Sequence, residues 1–159
     1  MQIRLAEKKD VCNVIRLIGK RIAWMDEIGV YHWNKTNYLS VYPIEYFEAL
    51  TDKKYMYVAE KDGAIVGAIV LYPEDERWET VDHTYYIHHL VADKAVRGVG
   101  EALLSFSENK AKAEGMSVLR LDSPKGNERL SAFYEAHGYK AVGECVDGLY
   151  TGILREKNL

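Results

Sequence analysis

The chain has 159 residues, 48% of them hydrophobic and 28% charged, the balance of a soluble globular protein long enough to bury a core unaided. A formal net charge of −3 lacks the basic surface that a general nucleic-acid binder needs, and no apolar run reaches the length of a membrane span. The opening Met1-Gln2-Ile3-Arg4-Leu5 lacks a secretory pattern, so the expected compartment is the cytoplasm, with Cys12 and Cys145 as buried, reduced thiols.

Met1 to Ala6 is a short strand candidate. From Lys8, the apolar residues Val11, Val14, Ile15, Leu17, Ile18, Ile22 and Met25 recur at helical spacing and predict a helix to about Ile28. Gly29 to Tyr42 is aromatic and polar without a period, and Pro43 opens a short helix over Ile44 to Leu50. Tyr55 to Glu60 and Ile65 to Tyr72 read as paired strands around the tight-turn signal Lys61-Asp62-Gly63. The acidic stretch Pro73 to Glu79 is a loop. Tyr86-Ile87-His88-His89-Leu90-Val91 is a strand leading through Arg97-Gly98-Val99-Gly100 into a helix that ends near Gly115. Val118 to Asp122 is a further strand; Asn127 caps the next helix, and Gly138 stops it. Tyr139 to Val146 and Leu149 to Leu154 close the chain as strands around Asp147-Gly148. Residues 1–159 read as one domain with no internal repeat, and successive strands ahead of the crossover helix favour a mixed α/β sheet over a doubly wound parallel one.

The strand–turn–helix around Gly98 and Gly100 exposes backbone N–H groups at a helix start without Cβ atoms in the way, which suits a phosphate. It is not the dinucleotide fingerprint, because the third glycine is missing. Nor is it a P-loop, because no Gly-Lys-Ser/Thr follows.

Taken with the second half of the chain, these motifs resemble the GNAT N-acetyltransferase superfamily over nearly the whole length. Ile3-Arg4-Leu5-Ala6 with Asp10 resembles its first strand and helix, and Ile87 to Val91 its fourth strand. Arg97-Gly98-Val99-Gly100 with Leu103, Leu104 and Phe106 resembles its acetyl-CoA pyrophosphate loop and helix. Asn127, Tyr134 and Gly138 keep the spacing of its late helix and strand. The resemblance implies a mostly antiparallel sheet flanked by helices, acetyl-CoA as acetyl donor, no metal, and an amine acceptor. It implies that the turn Arg97, Gly98, Val99, Gly100, Glu101 and Ala102 holds the pyrophosphate. Main-chain groups of Leu90 and Val91 would meet the pantetheine, with Asn127 and Phe133 as further cofactor contacts. Tyr134 matches the general acid that protonates the departing thiolate.

An ammonium acceptor must lose a proton before it attacks. The candidate bases are His88, His89, His83, Glu74, Glu76 and Asp82, with His88 the choice on the strand. Strict alternation sets His88 and His89 on opposite sheet faces. Trp33 and Tyr42, with Tyr38, are expected to line the acceptor pocket, and the acidic loop would attract a cation. A non-catalytic acyl-CoA-binding regulator of the same fold is the alternative reading. The last strand offers an edge through which two copies could pair as a homodimer.

Overall fold

Helical spacing in the first half and β-branched, alternating stretches after it build the elements in the expected order. The computed structural model describes residues 1–159. Strand β1 (Gln2–Leu5) passes through one helical turn at Lys8–Asp10 into helix α1 (Val11–Ile28). Val11, Val14, Leu17, Ile18 and Met25 bury one stripe of α1, and Gly29 ends it at φ 71°, where a side chain would be strained. Arg4 ties the strand to the helix start: its Nη1 lies 2.7 Å from Oδ2 of buried Asp10. The aromatic stretch forms a turn at Trp33–Lys35 and short helix α2 (Tyr38–Val41), and α3 (Ile44–Asp52) starts directly after Pro43.

Strands β2 (Met56–Lys61) and β3 (Ala64–Tyr72) make the expected hairpin, and β4 (Thr84–Ala92) runs antiparallel to β3. Helix α4 (Val99–Ala113) crosses over to β5 (Val118–Pro124), which is parallel to β4. Helix α5 (Glu128–Ala136) leads to the hairpin of β6 (Lys140–Asp147) and β7 (Tyr150–Asn158). The seven-stranded order is β1-β2-β3-β4-β5-β7-β6, a mixed α/β sheet as predicted, but the last strand is not the edge expected: β7 is paired on both sides, and β6 is the outer strand. Ile18, Phe47, Val58 and Val70 belong to the core under α1 and α3, while Leu103, Leu104, Leu119 and Tyr139 belong to the core under α4 and α5. Cys12 falls outside the apolar stripe of α1 and is exposed, contrary to expectation, and Cys145 is only half-buried; both are free thiols.

Two irregularities position the site. The first is a splay. Parallel pairing of β4 with β5 covers only Thr84–Tyr86 against Val118–Arg120, and beyond those residues the two strands part. The second is a β-bulge. The β3–β4 register shifts between Ala68 and Val70, so that His89 and Leu90 oppose Ile69 alone. His89 takes a left-handed φ of 50°. This overturns the expected alternation: His88 pairs with Val70, while His89 packs on Phe47, so both imidazoles lie on the α1 side of the sheet. Their ring centroids are 5.9 Å apart.

Candidate active site

The splay opens a cavity of about 930 Å³. One end is the start of α4. Gly98 precedes it at φ 79°, and the first helical bond at this end runs from Ala102 N to Gly98 O at 3.0 Å. The amides of Val99, Gly100 and Glu101 therefore have no helical acceptor and remain free for an anion. A Cβ on Gly100 would sit 3.2 Å from Phe133 Cζ, so the bare backbone here is needed for α4 and α5 to approach. A phosphate fits such a turn.

Leu90, Gly98, Val99, Gly100, Glu101, Asn127 and Phe133 all line the cavity. Val91 does not; its side chain is buried on the α1 side. Arg97 is exposed and Ala102 is half-buried, and neither side chain reaches the cavity wall. Positive charge at the wall comes instead from Arg21, Lys94 and Arg129, which gather around Trp24 with their charged atoms 5.0, 4.8 and 6.0 Å from the indole centroid. These three come together only in three dimensions, where α1, the turn and α5 meet. Asn127 caps α5 as predicted, with Oδ1 accepting from Leu130 N at 3.1 Å.

Tyr134 lies deeper, 7% exposed overall. Its hydroxyl makes no internal hydrogen bond and is not sealed from the cavity. Burial, with the Asp122 charge adding to it, pushes the phenol above its ordinary value, so it keeps its proton at neutral pH.

Across the cleft are the groups around the histidines. His88 Nε2 lies 2.6 Å from Asp75 Oδ2, and His88, Asp75 and Asp122 bring ligand atoms within 4.8 Å of one another. Asp122 also accepts from the Tyr150 hydroxyl at 2.6 Å. Arg77 lies between carboxylates, with Nη2 2.6 Å from Asp147 and Nη1 3.9 Å from Asp122. Burial disfavours the ionised Asp75, but the bond from His88 and the nearby Arg77 outweigh it and hold the carboxyl below its usual value.

His89 is a different case. Its Nδ1 is bonded to the Tyr38 hydroxyl and its Nε2 to the Tyr46 hydroxyl at 2.9 Å. Burial drives its imidazole well below the ordinary value. A neutral ring has one N–H and one lone pair, and both are engaged, so His89 holds the bulge rather than moving protons. Of the other candidate bases, His83, Glu74, Glu76 and Asp82 are exposed and do not line the cavity.

Trp33, Tyr38 and Tyr42 line the opposite wall of the cavity. Trp33 stacks on Tyr38 at 4.5 Å, and Tyr42 meets His89 edge-on at 4.7 Å. His32, which sequence reasoning passed over, stacks toward Tyr150 at 6.2 Å, and burial pushes its imidazole down to about 4.

Residues 27–139 match the model of the Acetyltransferase (GNAT) family. The chain is similar to the uncharacterized N-acetyltransferase YesJ of Bacillus subtilis (strain 168), 21% identical over 151 residues, covering 89% of this chain and 83% of that protein. It is 30% identical over 119 residues to an uncharacterized N-acetyltransferase in the pepI 3' region of Lactobacillus delbrueckii subsp. lactis, covering 70% of this chain and 69% of that one. Among solved structures, the PaiA N-acetyltransferase from Thermoplasma acidophilum in complex with coenzyme A shares the fold. It has a TM-score of 0.77 at 20% identity and covers 99% of this chain and 98% of that one. The splayed sheet, the glycine turn and these matches agree: this chain belongs to the GNAT acetyltransferase family.

Proposed function

We propose that the chain transfers the acetyl group of acetyl-CoA to a primary amine of a small molecule or peptide by direct attack. The observation that carries this reading is the splay of β4 from β5, with free helix-start amides at one end and an unbonded, protonated Tyr134 inside. The donor's pyrophosphate would rest on the amides of Val99, Gly100 and Glu101, its arm along the main chain of Leu90 and Val91 beside Asn127 and Phe133. His88 takes one proton from the acceptor ammonium. The free amine then attacks the thioester carbonyl, and backbone N–H groups along the splayed strand stabilise the oxyanion. As the carbon–sulfur bond breaks, Tyr134 gives its proton to the sulfur and CoA leaves as a thiol; the surplus proton still on the attacking nitrogen passes to the Tyr134 phenolate, which leaves a neutral amide and restores the phenol. Trp33 and Tyr42 would hold the body of the acceptor.

Calorimetric titration with acetyl-CoA tests the donor site, with ATP and NAD as controls. Release of CoA thiol over a panel of primary amines then tests transfer. Selective binding with amine-dependent release supports the proposal. Binding without release for any amine would favour the regulatory alternative, and no binding by folded protein would refute both.

A further inference from the structure

Asp75 is given no part in the transfer above and does not line the cavity, yet it is a confined carboxylate held against His88. Its side chain is 7% exposed, against 15% for His88. Both its oxygens are taken: Oδ1 accepts the Arg77 backbone N–H at 2.9 Å and Oδ2 faces His88 Nε2 at 2.6 Å. Because the carboxylate is only an acceptor, Nε2 must carry the imidazole proton. Nδ1 of His88 has no hydrogen-bond partner and is not sealed from the cavity that His88 lines.

From this geometry we infer that Asp75 is a positioning residue that fixes His88 in the tautomer with its bare Nδ1 facing the acceptor. The inference rests on the transferase reading for its catalytic consequence, but not for the tautomer itself. The other groups facing His88 do not compete for Nε2. Tyr72 of β3 lies edge-on to its ring at 5.2 Å, and its hydroxyl is engaged in a hydrogen bond with the Tyr46 hydroxyl. Asp122 of β5 is bonded by Tyr150, Arg77 is drawn to Asp147 and Asp122, and His89 is held by two phenols. During transfer, Nδ1 accepts the ammonium proton, and the imidazolium so formed keeps its Nε2–H on Asp75. Charge is therefore gathered between two carboxylates, Asp75 and Asp122, rather than left alone in a half-buried site.

The Arg77 amide makes a sharp test possible. In Asp75→Asn, that backbone N–H still requires an acceptor, so the side-chain oxygen stays at the Oδ1 position. The new amide NH2 then occupies the Oδ2 position and donates to His88 Nε2. The imidazole proton is forced onto Nδ1, the atom that has to receive one.

Nitrogen-15 spectra of the histidine rings read the tautomer directly, with the His88 signals among the five histidines assigned by His88→Gln. The proton is expected on Nε2 in the wild type and on Nδ1 in Asp75→Asn. In thiol-release assays with the most active amine of the panel, Asp75→Asn is expected to lower kcat by roughly 10²-fold or more, while acetyl-CoA affinity stays within about twofold. The double variant with His88→Gln should be no slower than His88→Gln alone. A wild-type proton on Nδ1, an Asp75→Asn kcat within about threefold of wild type, or additive losses in the double variant overturns the assignment. If no amine releases thiol, the transferase reading falls, and the spectra still decide whether Asp75 sets the tautomer.

Discussion

Gly67→Ala tests how tightly the glycine turn is held on the sheet. Gly67 sits on β3 beneath the first turn of α4. A methyl group there would lie 2.5 Å from Val99 Cγ1, 3.0 Å from the Val91 carbonyl oxygen and 3.1 Å from Leu103 Cδ1. Leu103 can rotate; the carbonyl belongs to β4 and cannot move without disturbing the bulge. Overpacking of this kind costs about 1–3 kcal/mol, and with one of the three contacts rigid we expect a loss near the middle, about 2 kcal/mol. For a chain of this size that lowers Tm by about 4–8 °C. The same push lifts Val99 and the amides beside it, so acetyl-CoA affinity should fall with stability. Urea denaturation and calorimetric titration measure the two effects. Val99→Ala removes the closest clash and should cost less in the Gly67→Ala background than alone, with a coupling of about 1 kcal/mol. Strict additivity, or a Gly67→Ala Tm within about 2 °C of wild type, would refute this account of the packing.

Tyr134→Phe should lower kcat by roughly 10²-fold while leaving acetyl-CoA affinity within about twofold, because its hydroxyl has no internal partner to lose; equal losses in rate and affinity would assign it to binding. His32 has a folded-state value of about 4 against an ordinary 6.5. The unfolded chain therefore binds this proton first, and stability is lost as pH falls from 6.5 toward 4. His32→Gln should gain on the wild type across that window in urea melts, and a constant difference would show that the imidazole is not held neutral. Asn127→Ala removes the bond to Leu130 N and should cost about 1 kcal/mol, read as a lower urea midpoint at unchanged m-value.

Most of the fold was legible because its signals are local. The α1 stripe, the Pro43 start, the Asp62-Gly63 and Asp147-Gly148 hairpins and the Asn127 cap each depend on residues within a few positions of one another. The glycine turn was legible for the same reason, although the charge beside it was legible only in part: Arg97 does not line the cleft, while Arg21 of α1 and Arg129 of α5 join Lys94 of the turn there. The bulge at His89 left no mark in the sequence. A left-handed φ on a histidine is disfavoured locally and is held here by Tyr38, Tyr46 and the surrounding rings, which come from segments some forty to fifty residues away. Without the bulge, His88 and His89 could not share a face. Asp75 was read only as part of an acidic loop; its distinguishing feature is that the chain returns from β3 to β4 and delivers one carboxylate of that loop inward, onto His88.

The narrow pairing between β4 and β5 has a consequence beyond making room. Three residue pairs are all that join the half-sheet of β1 to β4 directly to the half-sheet of β5, β7 and β6. Elsewhere the halves communicate through α4 and through side chains. Stability in such a sheet is not uniform, and contiguous pieces open as cooperative units. The seam is where amide exchange should outpace that of the strands on either side. A molecule lying along it would touch both halves at once and suppress their independent breathing. Occupancy would then be reported by protons far from any contact, in β2 and β7 alike.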